Sequence, residues 1–353
     1  MSQRLGLCKA LCAKMAPNLK TISQRLGLSI PTVSQILSGQ GKEHRYAAAT
    51  VEKVRATAKE LGYKPNVMAR GLVGGKTHAV GAIRGTIADN TPDTCHVVED
   101  RLSRRNYVTY VSNSLNQLEI AYDILDDFAR RGVDGVLLWM SPGWEKDEKL
   151  MAMLDEFPAV LLVTAASSPQ ALDRVIHDRS AAFRKVVDHF VKTGRRRPAL
   201  MTIEQAGSKT EAFESQLATY GIQMRSQGLI IDLDWGLWQE SVSSCCTKAL
   251  DARFQNGHLP FDALMCISDG AAVAAMGWLR KKGLRIPNDV AIVGFNDNDF
   301  CKCFDPPLAS ISRRVEKVAD AIEQMFFNRL MKPDAPVQCK TVEMEFVWRE
   351  SAG

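Results

Sequence analysis

Apolar residues near the amino terminus recur at helical spacing and are interrupted at one glycine. Ile22 and Leu26 stand four apart, Gly27 follows, Leu28 occupies the gap, and Val33, Ile36 and Leu37 form a second stripe. The pattern predicts two short helices over 21–39 that share one small core. Gly27 suits the break because it takes positive φ without a steric cost. Ser29 is expected to cap the second helix by accepting from the Thr32 amide, and Pro31 falls in the first turn, where its missing N–H would have had no partner. A third helix is predicted from Val51, Val54, Ala58 and Leu61, with Thr50 as its cap and Gly62 as its stop.

Beyond Thr77 the period changes. Short apolar runs, VGAI, VTYV, GVLLW, AVLLV, ALMTI, ALMCI and VAIVGF, alternate with helical patterns such as Val315, Val318, Ile322 and Met325. Alternating strand and helix implies parallel sheets covered on both faces. A length of 353 residues accommodates two or three domains.

Charge divides the chain at the same place. Residues 1–76 hold 13 Lys or Arg against 3 Glu, a net of +10, so an overall +5 leaves −5 for the remainder. A basic head attracts polyanions and the body has no reason to approach one. The second helix also turns small polar side chains outward, which is the pattern of a helix-turn-helix reading a DNA major groove. A solvated basic surface without a partner would not explain why charge and motif coincide.

Other chemistry is sparse. Of nine Cys, Cys8/Cys12, Cys245/Cys246 and Cys301/Cys303 lack C-x-x-C spacing, so reduced thiols in a cytoplasmic protein are expected, without metal or cofactor. His177 with Asp178, and His189, lack any surrounding G-x-S-x-G or H-E-x-x-H, which reads as structural or solvated histidine and not as an enzyme. Gly71, Gly75, Lys76 and Thr77 approach a phosphate-binding loop, but the glycines are one residue too close and no strand precedes them. No apolar run reaches bilayer length. Residues 1–17 read as a disordered basic extension or as the product of a misassigned start ahead of Met15. Their SQRLGL repeats 23–28 without founding an array.

Several segments together resemble the lactose/galactose repressor family of bacterial transcription regulators: TISQRLGLSIPTVSQIL, TVEKVRATAKELGYKPNVMARGLVGGKT, VAIVGFNDNDF with PPLASI, and VWRES. The resemblance runs from about Asn18 to Ser351. It implies an α plus α/β fold: a helix-turn-helix DNA-binding head at 18–64, a hinge at 65–76 with a short helix over 66–73, and a two-lobed periplasmic-binding-protein-like effector and dimerisation domain at 77–353. Lobe 1 would take about 77–175 and 313–335, and lobe 2 about 176–312 and 336–353, with crossings near Ile176, Arg313 and Pro336. The insertion QGKEHRYAA after the second helix is expected to lie on the surface and do little to the fold.

The resemblance also assigns roles. Base readout falls to Ile30, Pro31 and Gln35, of which Gln35 pairs bidentately with an adenine edge and the other two offer apolar contact. Phosphates fall to Asn18, Thr32 and Ser34. In the family the hinge becomes helical only on the operator, where Leu72, flanked by Asn66 and Arg70, enters the minor groove. The implied effector site comprises Lys209, Trp235, Ser268, Asp269 and Asn296, at strand ends between the lobes. Here the sequence departs from the family. Lys209 replaces the usual Arg, Asn296 and Val163 stand where Asp is found, Ser268 replaces Asn, and 90–95 lacks an aromatic pair. These changes argue against an ordinary neutral monosaccharide and toward a sugar acid or other modified sugar, or toward a regulator without a small effector. The implied partners are a pseudo-palindromic double-stranded operator, a second copy of the chain and no membrane. The alternative is a carbohydrate-binding protein without a DNA role, which accounts for the lobes but not for the basic head.

Overall fold

The computed structural model describes residues 18–37, 45–63, 76–85, 94–141, 143–164, 171–202, 207–221, 229–230 and 242–353. The amino-terminal extension, the hinge residues Asn66, Arg70 and Leu72, and Trp235 lie outside them. The chain divides into a unit that ends at Thr77 and a body that begins at His78.

The head is three helices around one apolar cluster. Helix α1 (Leu19–Leu26) begins with a capping box in which Asn18 Oδ1 accepts from the Thr21 amide at 3.0 Å. It ends at Gly27, whose φ of 65° lets the Leu28 amide donate back to the Ser23 carbonyl at 3.1 Å. Helix α2 (Ile30–Leu37) starts as expected, with Ser29 Oγ accepting from the Thr32 amide at 3.2 Å. Helix α3 (Ala48–Glu60) starts earlier than expected: Thr50 is already inside the first turn and Ala47 is the cap. The alanines at 47–49 carry the helix past the threonine because they lose no side-chain entropy in it. At its other end Tyr63 donates to the Ala58 carbonyl at 2.8 Å across Gly62. Ile22, Val33, Ile36, Val54 and Ala58 are buried together, so both helical stripes do meet one core.

The body opens with β1 (Ala79–Arg84), α4 (Thr94–Arg104), β2 (Val108–Asn113), α5 (Leu118–Arg131), β3 (Gly135–Trp139), α6 (Glu148–Asp155), β4 (Val160–Thr164) and β5 (Asp173–Asp178). It continues through α7 (Ser180–Lys192), β6 (Pro198–Thr202), α8 (Gly207–Ala218), β7 (Leu229–Ile230), α9 (Val242–Asp251), β8 (Ala263–Cys266) and α10 (Asp269–Lys281). The last elements are β9 (Ala291–Asn296), β10 (Ala309–Ser312), α11 (Val315–Met331), β11 (Cys339–Glu343) and β12 (Glu345–Val347).

Two six-stranded sheets result, ordered β11-β5-β4-β3-β1-β2 and β12-β10-β9-β8-β6-β7. Among the described strands, only β12 runs antiparallel to its neighbour. Strand alternation assigns each face its helices. Val80, Ala82, Leu137, Leu161 and Val175 pack under α4 and α11, while Ile83, Val136, Leu138 and Leu162 pack under α5 and α6. The second sheet is covered likewise, by α9 and α10 on one face and α7 and α8 on the other.

The chain passes between the sheets after Asp178, after Ser312 and at Met344. The third passage differs from the expected one near Pro336, because β11 joins the first sheet beside β5, in register from Cys339 opposite Arg174 to Glu343 opposite Asp178. A polar cluster holds it there. Arg329 on α11 donates to both oxygens of the buried Asp173 at 2.9 and 2.8 Å and to the carbonyls of Pro333 and Ala335 at 2.6 Å each. Asp173 also accepts from the Gln338 amide at 2.7 Å. Removing one partner of a buried pair strands the other charge. Arg329→Met should therefore cost about 3 kcal/mol or more in urea unfolding of the body; an unchanged midpoint would show that β11 is held by its strand pairing alone.

Candidate functional site

The head presents its second helix outward. Ile30 is 44% exposed and Pro31 is exposed, while Thr32, Ser34 and Gln35 are half-buried along the same helix. The exposure of Ile30 is informative, since a branched apolar side chain at a helix start would otherwise tuck into the core. Asn18 is exposed at the start of α1. Gln35 has an unforeseen partner: the Tyr46 hydroxyl donates to its Oε1 at 2.6 Å. Tyr46 closes the insertion after α2 and packs against the head core, so the end of that insertion is structural and not inert. This bond fixes the orientation of the Gln35 amide.

In the body, the carboxyl ends of the parallel strands carry the polar residues. Ser268 is buried and caps α10, its Oγ accepting from the Ala271 amide at 3.2 Å. Asp269 is bonded within the fold through both carboxylate oxygens. Oδ2 accepts from the Asn298 amide at 2.7 Å and from Asn298 Nδ2 at 2.9 Å, and Oδ1 accepts from Ser310 Oγ at 2.5 Å. A Cβ at Gly294 would stand 2.3 Å from Oδ1, so glycine there makes room for the carboxylate. Asp269 thus ties β9, β10 and α10 together, a role that strand-end position alone did not distinguish from ligand binding.

Asn296 is different. It is buried at 3% exposure with φ at 115°, and its Oδ1 has no hydrogen-bond partner. Both features are costly in a folded protein. Its neighbour Asp297 is engaged by Arg349 at 2.6 Å. Val163 is core, packed with Trp139 and Val175. Lys209 falls on α8, with its side chain outside the described atoms.

A basic cluster at the crossings was not foreseen. His177 lies near the end of β5, followed by Arg179, and Arg313 follows β10. Burial first, then the positive charges of Arg313 and Arg179, push the His177 imidazole down to about 3, and its Nε2 has no hydrogen-bond partner. Burial also lowers the Arg179 guanidinium, opposed by Asp178. The signal was present as charged residues closing apolar strand runs, in AVGAIR, DRVIHDR and ASISRR.

Burial pushes the Cys246, Cys266 and Cys301 thiols up, which keeps them protonated and unreactive. No group of three metal-ligating side chains occurs, and no helix is long and apolar enough to cross a membrane, among the described residues.

The imidazole sets a pH dependence. Its folded-state pKa lies below the ordinary value near 6.5, so nothing is lost above that pH, and stability falls as pH drops from about 6.5 toward 3 because only the unfolded chain takes the proton. Between pH 7 and 5 the wild type should lose about 1–2 kcal/mol more than His177→Phe in urea unfolding. Parallel acid slopes for the two would rule out a His177 imidazole held neutral by the fold.

Residues 187–352 match the periplasmic binding protein-like domain family. Across 326 residues the chain is 26% identical to the HTH-type transcriptional repressor PurR of Haemophilus influenzae strain PittEE, covering 91% of this chain and 93% of that protein. A second PurR, from Mannheimia succiniciproducens, is 24% identical over 339 residues, 94% of this chain and 98% of the relative. Among solved structures, the Lac repressor dimer bound to operator and the anti-inducer ONPF superposes with a TM-score of 0.80 at 20% identity, covering 95% of this chain and 99% of that one. The transcriptional regulator CelR in complex with cellobiose gives 0.64 at 23% identity, with the same coverage.

Proposed function

Since the chain belongs to the lactose/galactose repressor family of transcription regulators, we propose that it is a non-catalytic, cytoplasmic repressor that holds a pseudo-palindromic operator as a homodimer and is modulated by a small carbohydrate-related ligand between its two sheets. The observation that carries the reading is the outward face of α2, where Ile30 stands exposed beside Pro31 and Gln35 is oriented by Tyr46, on a strongly basic head. Ile30 and Pro31 make apolar contact with base edges, Gln35 pairs with an adenine, and Asn18, Thr32 and Ser34 hold phosphates. Relatives named as repressors along nearly the whole length support the same reading.

A second copy has a surface to use. Strand β2 is an edge of the first sheet, and Val108 is 56% exposed and Val111 37% exposed along it. An apolar edge of this kind attracts a partner. Pairing two heads multiplies the specificity that one can supply. The ligand reading rests on Asn296, whose unpartnered buried oxygen awaits a donor, and on Lys209 and Trp235 as further contacts.

Selection from random duplex DNA should return inverted half-sites, with two chains per site by sedimentation. Gln35→Ala should weaken the preferred site by about 1–3 kcal/mol and relax one base position in each half-site. Failure to enrich any sequence would overturn the regulatory reading, and an unchanged preference in the variant would overturn the role of Gln35. Leu72, as the wedge of the hinge, should give a second signature: Leu72→Ala should reduce DNA bending in a circular-permutation gel assay and leave body melting unchanged. Persistent bending would exclude it as the wedge.

A further inference from the structure

We propose that Tyr46 is a positioning residue for base readout: its hydroxyl sets which end of the Gln35 amide faces the base edge, so the insertion after α2 takes part in choosing the operator. The inference rests on the reading of Gln35 above and names a residue that acts through it.

The placement comes from packing and one bond. Gln35 sits on α2 between Val33 and Ile36, both buried in the head core, and is itself half-buried. Its side chain therefore leaves the helix beside the core and not from the far side. Tyr46 lies just ahead of α3, half-buried, with its side chain packed on the same cluster that holds Val33, Ile36 and Val54. Its hydroxyl donates to Gln35 Oε1 at 2.6 Å. A ring held by packing delivers its hydroxyl to a fixed point, because only two torsions separate the phenol from the backbone. One side chain thus runs from the core of the head to its reading helix, and it belongs to the segment QGKEHRYAA that joins α2 to α3.

The bond matters because of what an amide can do wrongly. The last torsion of glutamine is broad and roughly two-fold, and a half-turn about it exchanges a carbonyl acceptor for an amino donor. Adenine offers a donor at N6 beside an acceptor at N7, so an amide reads it only one way round. The reversed amide sets donor against donor and acceptor against acceptor. A hydroxyl can only donate to the carbonyl end, so Tyr46 selects one of the two arrangements before DNA arrives. Such preorganisation acts on the difference between bases, whereas a loop merely fastened to a helix acts on all duplexes alike.

Fluorescence anisotropy of the full chain tests this, on the duplex returned by selection from random DNA and on its three single-base variants at the half-site position relaxed by Gln35→Ala. Tyr46→Phe keeps the ring in the core and removes only the hydroxyl. It should lower the ratio of affinities between the preferred base and the others about three- to tenfold at that position. Ratios at the other half-site positions should stay as in the wild type, and the same change in a Gln35→Ala background should have no further effect. An equal loss of affinity on all four duplexes, with ratios unchanged, would show that the hydroxyl only fastens the loop and would overturn the proposal. A ratio that falls further in the Gln35→Ala background would overturn it too, since the hydroxyl would then act without Gln35. The two levels separate: a position relaxed by Gln35→Ala but indifferent to Tyr46→Phe removes the role of Tyr46 alone, and no position relaxed by Gln35→Ala removes the reading of Gln35 and this inference with it.

Discussion

The side-by-side pairing of the three crossings governs what the body can do. Strand β11 stays in register with β5 as far as Glu343 opposite Asp178, and after the single residue Met344 the chain enters β12, which pairs Glu345 with Ser312 of β10. Each sheet is thereby paired up to the passage, where the Met344 amide donates to the Asp178 carbonyl at 2.7 Å. Because the strands are almost all parallel, their carboxyl ends point to one region, and the polar side chains at those ends are brought together whatever the rest of the surface does.

Two kinds of polar residue occupy that region, distinguished by what satisfies them. Asp269 and Ser268 are satisfied internally and keep β9, β10 and α10 in fixed relation. Asn296 Oδ1 and His177 Nε2 are buried without a partner. A fold tolerates such atoms at a cost of about 1–3 kcal/mol each, which a bound molecule can return. A ligand that bridges both sheets shifts their relative population of arrangements, and only its differential affinity for those arrangements can be transmitted to the operator.

Much of this was legible in the sequence because it follows from periodicity. Both stripes of the head, the Ser29 cap, the Gly27 break and the inner strands of both sheets were marked by 3.6 and apolar-run patterns. What was missed has a common cause. Strands β5 and β11 carry alternating charge, in DRVIHD and CKTVE, and reveal themselves only through pairing with each other. Thr50 looked like a cap because sequence spacing does not register the alanines that extend the helix before it. The internal bonding of Asp269 was not legible because strand-end position cannot tell a committed carboxylate from a waiting one, and the space for it comes from Gly294, distant in sequence. Tyr46 sat in an insertion read as inert, yet it orients Gln35 across eleven residues.

The most direct measurement is operator affinity of the full chain by fluorescence anisotropy, with and without a saturating carbohydrate found in a thermal-shift screen of neutral sugars, sugar acids and sugar phosphates. The expected result is a change of at least about fivefold, mirrored by the same factor in ligand affinity when operator is bound, as reciprocity between linked sites requires. Saturating ligand that leaves operator affinity unchanged would contradict a coupled head and body.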